Sequence, residues 1–294
     1  MDVEQPSMTF IEGSLFFEIM NKPTLQQLLI KDAPIIMGIL NSTPNSFSDG
    51  GDFFDPQKAI DRAHQMAQEG ATIIDIGAES SNPKADLITA EEEIARLIPV
   101  VKPLVKDLPA LISIDTYHPE TMKAMVDLGV DIINDINGFR NPASIDAVKD
   151  SNVGLVVMHL DNPIESMHIE TQHDDITYSI AQFFLDQVKH LSDHNIHPNR
   201  ILLDPGFGFG KTTEEQIELL QQLERLTALP YPIFIGLSRK RLIGHLTHVD
   251  VAKERTIGNI ASALWCLQKG AKIFRVHDVK ATHEAFQLWQ QLSI

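Results

Sequence analysis

Three stretches of this chain repeat one pattern: residues 69–76 read EGATIIDI, 128–135 read LGVDIIND and 269–276 read KGAKIFRV. In each, an amphipathic helical stretch stops, glycine follows as a C-cap, and a β-branched apolar run begins. This is the helix-to-strand junction of an α/β unit. The runs are continuous rather than alternating, as expected of strands covered on both faces.

Counting all such runs yields eight expected strands, at about 35–40, 72–76, 111–115, 131–135, 154–158, 201–204, 233–237 and 272–276. Helical patterns are expected at 56–69, 88–106, 119–128, 177–194, 214–227, 254–268 and 280–291, with a short helix near 142–150. The implied architecture is α/β, a single (β/α)₈ TIM barrel over residues 31–294 preceded by an N-terminal extension, 1–30. Within that extension, TFIEGSLFFEI is expected to form a strand or hairpin under the barrel floor. A doubly wound open sheet is the alternative.

No apolar run approaches the roughly 18 residues needed to span a bilayer, and the first residues show neither a basic segment nor an apolar signal core. A cytoplasmic enzyme is the expectation. The formal charge of −16 argues against a nucleic-acid surface, so any anionic ligand requires positive charge gathered locally. The single cysteine, Cys266, lies in a helical run and reads as structural.

The expected strand ends are polar almost every time, and in such barrels the reactive groups stand at those ends. They are Asn41, Asp75 leading to Glu79, Asp115, Asn134 with Asp135, Met158 with His159, and Asp204. Strand seven runs into Ser238, Arg239, Lys240 and Arg241, and strand eight carries Arg275 and His277 with Asp278 behind them. The expected mouth is thus divided, with an anion-binding sector on strands seven and eight beside a sector of carboxylates and amides. A ligand with an NH-rich heterocycle at one end and phosphate at the other suits that division.

Two tempting motifs fail. GFGFGKT at 206–212 would need glycine where Pro205 stands to be a P-loop, and it is too short for a dinucleotide fingerprint. Its glycines are expected to let the backbone approach a flat ligand. The histidines form no HExxH pair, and His168, His173, His194 and His197 lie in polar stretches where solvation is expected.

From about residue 35 onward the chain resembles the dihydropteroate synthase family. The resemblance rests on GILNSTPNSFSDGG (38–51), DIGAESSNP (75–83), SIDTY (113–117), INDI (133–136), LDPGFGFGK (203–211), SRK (238–240) and RVHDV (275–279), in that order. It implies that Asp115, Asn134, Asp204 and Lys240 bind a pterin ring, with Met158 and Phe209 lining the apolar slot. It further implies that Asn41 ligates a Mg²⁺ carried by the substrate diphosphate, while Ser81, Arg275 and His277 hold the phosphates. Asp204, Lys240, Arg275 and His277 would carry catalysis, and Phe47 and Pro83 would contact p-aminobenzoate. Sulfonamides would compete at that last pocket. A homodimer through the late helices (254–268 and 280–291) is also implied.

The chain departs from the family in the second loop, where Glu79-Ser80-Ser81-Asn82-Pro83-Lys84 replaces the usual Glu-Ser-Thr-Arg-Pro-Gly. Asn45 stands where Asp is common, and Ser42 replaces an apolar residue. Two alternatives remain open: a pterin-binding methyltransferase domain, which has no need of a diphosphate sector, and a catalytically silent pterin-binding relative.

Overall fold

The structure, a computed structural model, describes residues 22–42, 55–79 and 87–293. Within these, eight parallel strands alternate with helices: β1 Ile35–Asn41, β2 Ile73–Gly77, β3 Leu111–Asp115, β4 Ile132–Asp135, β5 Gly154–Met158, β6 Ile201–Asp204, β7 Phe234–Ile235 and β8 Ile273–Val276. Neighbours run in the order β6-β5-β4-β3-β2-β1-β8-β7. A parallel bridge between Leu203 and Ile233, with Leu203 N donating to Pro232 O at 3.0 Å, closes β6 onto β7. The sheet is therefore a barrel, and the open-sheet alternative is excluded.

The helices are α1 Leu25–Ile30, α2 Pro56–Gln68, α3 Ala90–Asp107, α4 Pro119–Leu128, α5 Pro142–Val148, α6 Ile176–Asp193, α7 Thr213–Gln221, α8 Glu224–Thr227, α9 Arg241–Thr247, α10 Thr256–Gln268 and α11 Val279–Leu292. The helix expected at 214–227 is divided into α7 and α8, and α9 has no counterpart among the expected elements. None of the described helices is long and apolar enough to cross a membrane.

Successive strand residues point to opposite faces. The outward set, including Ile74, Ile76, Ile112, Ile114, Ile133, Leu155, Val157, Leu203 and Phe274, packs with the surrounding helices in the main core. Gly38 sits on that outer face because a Cβ there would meet Met66 Sδ at 2.9 Å and Val279 Cγ2 at 3.1 Å. The inward set begins apolar: Ile35, Met37, Ile73, Leu111, Ile132, Val156, Leu202, Phe234 and Ile273 fill the lower barrel. Leu25 and Leu28 of α1 plug this layer from below. The segment TFIEGSLFFEI lies outside the described residues.

One inward position further along every strand but β1, where Ile39 stands, the apolar packing layer gives way to the lining of the mouth. Asp75, Ser113, Asn134, Met158, Asp204, Gly236 and Arg275 follow the apolar layer at a spacing of two. β7 is shorter than expected because the chain leaves the ladder at Gly236 and turns, with Lys240 N donating to Leu237 O at 3.1 Å and Arg239 at φ 61°. That turn brings Lys240 back over the mouth.

Candidate active site

The buried centre of the mouth is Asp75, which is fully shielded from solvent. Its Oδ1 accepts from Ser113 Oγ at 2.6 Å, and its Oδ2 accepts from Asn134 Nδ2 at 3.2 Å and from Arg275 Nε at 2.6 Å. A second guanidinium nitrogen, Arg275 Nη2, donates to Asp115 Oδ2 at 2.7 Å. Strand register makes this network: Asp75 pairs Ser113, and Asp115 pairs Asn134. Burial works against the charge on Arg275, but Asp75 and Asp115 outweigh it and hold the guanidinium protonated. Burial also pushes Asp115 upward, to about 7, against the pull of Arg275.

Asp204 and Lys240 form the opposite wall. Asp204 Oδ1 accepts from Gly206 N at 2.8 Å, and burial raises the carboxyl while Lys240 opposes that rise. Burial lowers Lys240 to about 8, partly offset by Asp204. Its ammonium donates to Phe207 O and lies 4.4 Å from the centroid of the Phe209 ring, a cation–π contact. Gly236 leaves the space between them open: a Cβ there would lie 3.8 Å from Asp204 Oδ2 and 3.9 Å from Lys240 Nζ. Phe209 packs with Met158, Leu160 and Met167 in a separate apolar cluster, giving one flat greasy face beside the polar groups. A planar heterocycle bearing ring N–H groups fits between these walls.

His277 Nδ1 is 3.0 Å from Ser238 Oγ, and that hydroxyl oxygen accepts from His277 N at 3.2 Å. Burial, with Arg239 and Arg275 nearby, lowers His277 to about 3, so its imidazole is neutral and offers a hydrogen bond rather than a charge. Arg239 is paired with Asp278 at 2.6 Å, and Arg241 is exposed on α9. The expected anion sector is therefore less cationic than the sequence suggested. Long-range partners, Asp75 above all, neutralise part of it.

Asp115, Asn134, Met158, Asp204, Phe209, Lys240 and Arg275 are thus brought into one mouth. Asn41 ends β1 opposite Gly77, exposed at the same rim. Ser81, Phe47 and Pro83 lie outside the described residues. Asp135 belongs to a turn instead, its oxygens accepting from Asn137 N at 2.7 Å and Phe139 N at 2.8 Å.

Two residues gain importance from the fold. Asp75 was legible only as a polar strand residue; its inward position two after Ile73 was the available signal. Lys211, almost wholly buried, donates to the carbonyls of Gly206 (3.1 Å), Phe209 (3.2 Å) and His159 (3.4 Å), tying down the glycine-rich loop. Gly206 serves the chain's own packing: it has φ +68°, and a Cβ there would meet His159 O at 2.2 Å. The solvation expected of His173 is also corrected, since its ring lies between two carboxylates. His168, likewise, stacks on Phe209 with ring centroids 5.9 Å apart.

For a metal, the described residues contain no cluster of three or more His, Cys, Asp or Glu side chains able to hold an ion. Asn41, an exposed residue, carries an amide oxygen, a hard donor of the kind that binds Mg²⁺ when phosphate and water supply the other ligands.

The sequence model of the family described as pterin binding enzyme matches residues 37–277. The dihydropteroate synthase of Haemophilus influenzae is 38% identical over 257 residues, covering 87% of this chain and 93% of that protein. The Escherichia coli K12 dihydropteroate synthase is 38% identical over 255 residues, covering 87% and 90%. Among solved structures, Xanthomonas albilineans dihydropteroate synthase with 4-aminobenzoic acid superposes at TM-score 0.83 with 41% identity, covering 89% of this chain and 94% of that one. The Burkholderia cenocepacia enzyme with 7,8-dihydropteroate gives 0.82 and 39%, covering 89% and 92%. The Yersinia pestis enzyme, solved as a sulfonamide drug complex, gives 0.82 and 36%, covering 89% and 94%.

Proposed function

The chain belongs to the dihydropteroate synthase family of pterin-binding enzymes, and from that premise we propose how its own residues carry the reaction. It is a transferase of folate biosynthesis that condenses 6-hydroxymethyl-7,8-dihydropterin diphosphate with p-aminobenzoate, giving 7,8-dihydropteroate and pyrophosphate. The observation that carries the residue assignment is the facing pair Asp204 and Lys240 across the side-chain-free Gly236, next to the apolar face of Phe209 and Met158.

In this reading Asp204 accepts hydrogen bonds from the amino-pyrimidine edge of the pterin, and Asp115 and Asn134 bind its inner edge. Lys240 donates to the opposite, oxygen-bearing edge. The ring lies against Phe209 and Met158. Asp75 holds Arg275 and Asn134 in place, and Arg275 faces the diphosphate with a charge that burial alone would not sustain.

The bond that breaks joins the exocyclic methylene carbon to a diphosphate oxygen, and the electron pair leaves with pyrophosphate. Arg275 stabilises the growing negative charge, and neutral His277 gives the leaving oxygen one hydrogen bond through Nε2–H when Ser238 donates to Nδ1. Mg²⁺, held by Asn41 and the diphosphate, would supply further charge neutralisation on the same leaving group. The amine of p-aminobenzoate then forms the new C–N bond and loses a proton, with no protein nucleophile required.

Ser81 adds a hydroxyl to the diphosphate, and Phe47 and Pro83 border p-aminobenzoate, where sulfonamides compete. A single barrel domain accounts for the described residues. The exposed Ile257, Trp265, Leu288 and Leu292 on α10 and α11 support a homodimer through these helices. The net charge of −16 weighs against nucleic-acid and anionic-membrane partners, in keeping with the cytoplasmic enzyme expected from the sequence.

The test is a coupled assay with the pterin diphosphate, p-aminobenzoate and Mg²⁺ that follows both products. Equal amounts of dihydropteroate and pyrophosphate are expected, together with loss of pterin affinity in Asp204→Ala. Normal turnover and affinity in that variant would overturn the residue assignment. Tight pterin binding with no product would identify a silent relative.

A further inference from the structure

Beside the pterin slot, the loop after β5 (residues 159–175) meets the loop after β6 (205–212) and the start of α7. Thr171 N donates to Gly210 O at 2.8 Å, and Asn162 Nδ2 braces the same loop through Ile169 O at 2.7 Å and Thr171 Oγ1 at 3.2 Å. His173 sits at the junction. Its backbone N donates to Glu215 Oε1 at 2.9 Å, its Nδ1 lies 2.9 Å from that same oxygen, and its Nε2 lies 3.1 Å from Asp161 Oδ1. Glu215 uses its other oxygen to cap α7, accepting from Thr212 N at 2.9 Å and Thr212 Oγ1 at 3.1 Å.

Both ring nitrogens of His173 therefore face carboxylate oxygens. A neutral imidazole has one N–H, so its other nitrogen would set a lone pair against a carboxylate. Only the imidazolium donates at both ends. The clasp bears on the pterin slot because its loop also carries Leu160, Met167 and His168, which pack or stack on Phe209.

We propose that His173 is a positioning residue: as an imidazolium it clasps the loop after β5 to the N-terminus of α7 and thereby holds the Phe209 wall of the pterin slot. This rests on the pterin slot proposed above. The groups facing the clasp are Asp161 and His159 from its own loop, Glu215 from α7, Lys211 from the loop after β6 and Arg140 from the loop after β4. Burial, then Lys211, lowers His159 well below the ordinary imidazole range, so it contributes no charge. Lys211 is occupied by three carbonyls, and Arg140 by Asn137 and Asn162.

The sign follows from these neighbours. Burial opposes the charge on His173, but its hydrogen bonds to Glu215 and Asp161 and their negative charges prevail and raise it above 6.5. The clasp is complete below that ordinary value and is lost as pH rises through the raised one.

The test measures KM for the pterin diphosphate and kcat between about pH 5.5 and pH 7.5, in the native protein, His173→Gln and Asp161→Asn. The native KM is expected to rise about three- to tenfold as pH passes upward through the raised value of His173, with kcat little changed. His173→Gln should start from a raised KM and keep only the pH dependence that Asp115, pushed up to about 7, gives all three proteins, and Asp161→Asn should move the His173 inflection to lower pH. Superimposable KM profiles for native and His173→Gln proteins, or a change confined to kcat, would overturn the proposal. Histidine-selective ¹⁵N NMR of the full chain reads the same titration without turnover, and a His173 ring already neutral at about pH 6 also overturns it. A native protein that forms no product at any pH would instead refute the functional reading, leaving the NMR result to decide the clasp.

Discussion

Arg275 and Asp75 meet across the barrel interior with Nε and Oδ2 2.6 Å apart, although 200 positions separate them in the chain. Asp75 is wholly buried, and Arg275 retains a fifth of its side-chain exposure. The pair sets where the guanidinium stands before any ligand enters. Removing one partner from such a pair leaves the other without compensation, which costs far more than the pair itself contributes.

Asp75→Ala should therefore destabilise the fold by about 3 kcal/mol, read by chemical denaturation. It should also weaken pterin binding, since Asn134 and Arg275 lose their common anchor. A loss below about 0.5 kcal/mol would show that Asp115 alone suffices to hold Arg275.

Lys240 predicts an alkaline limb in pterin affinity near its lowered value of about 8. Between about 8 and its ordinary 10.5, the folded protein sheds a proton that the unfolded chain keeps. Stability contributed by this group should then rise with pH while pterin affinity falls. Lys240→Arg, charged throughout, should abolish the affinity limb near 8 and leave the one assigned to His173.

Phe209 offers its ring to the slot while His168 stacks on it and Lys240 lies over it. Phe209→Leu keeps the apolar cluster with Met158 and Met167 but removes the aromatic face. The KM for the pterin substrate should rise roughly tenfold, with the melting temperature little changed. A change in KM for p-aminobenzoate alone would place Phe209 at the wrong end of the site.

Asn82 and Lys84 lie outside the described residues, so the prediction there rests on sequence. Asn82→Arg restores the guanidinium usual in the family, and it should change the sulfonamide inhibition constant and the KM for p-aminobenzoate together. Identical values for both proteins would remove Asn82 as a determinant of that pocket.

The strands were readable because both of their faces are buried, which leaves continuous apolar runs that no surface requirement interrupts. Seven of the expected runs lie within a residue or two of β1 to β6 and β8. The run at 233–237 is longer than β7: Gly236 and Leu237 are as apolar as the strand before them, and only the turn back to Lys240 takes them out of the ladder. α9 is not legible in the sequence because seven residues opening Arg241-Leu242 carry too little periodicity to separate a helix from a loop.

Sequence alone determined the strand count, the apolar-then-polar succession along each strand and the motifs at the strand ends, since these depend on spacings of two to about twenty residues. It also carried the family. Tertiary structure alone decided which charges survive at the mouth and which histidine is held between carboxylates. Arg275 with Asp75, Arg239 with Asp278, and His173 with Glu215 are contacts between distant positions. The charge state of a buried group follows its neighbours in space, and barrel closure, not chain order, makes those neighbours.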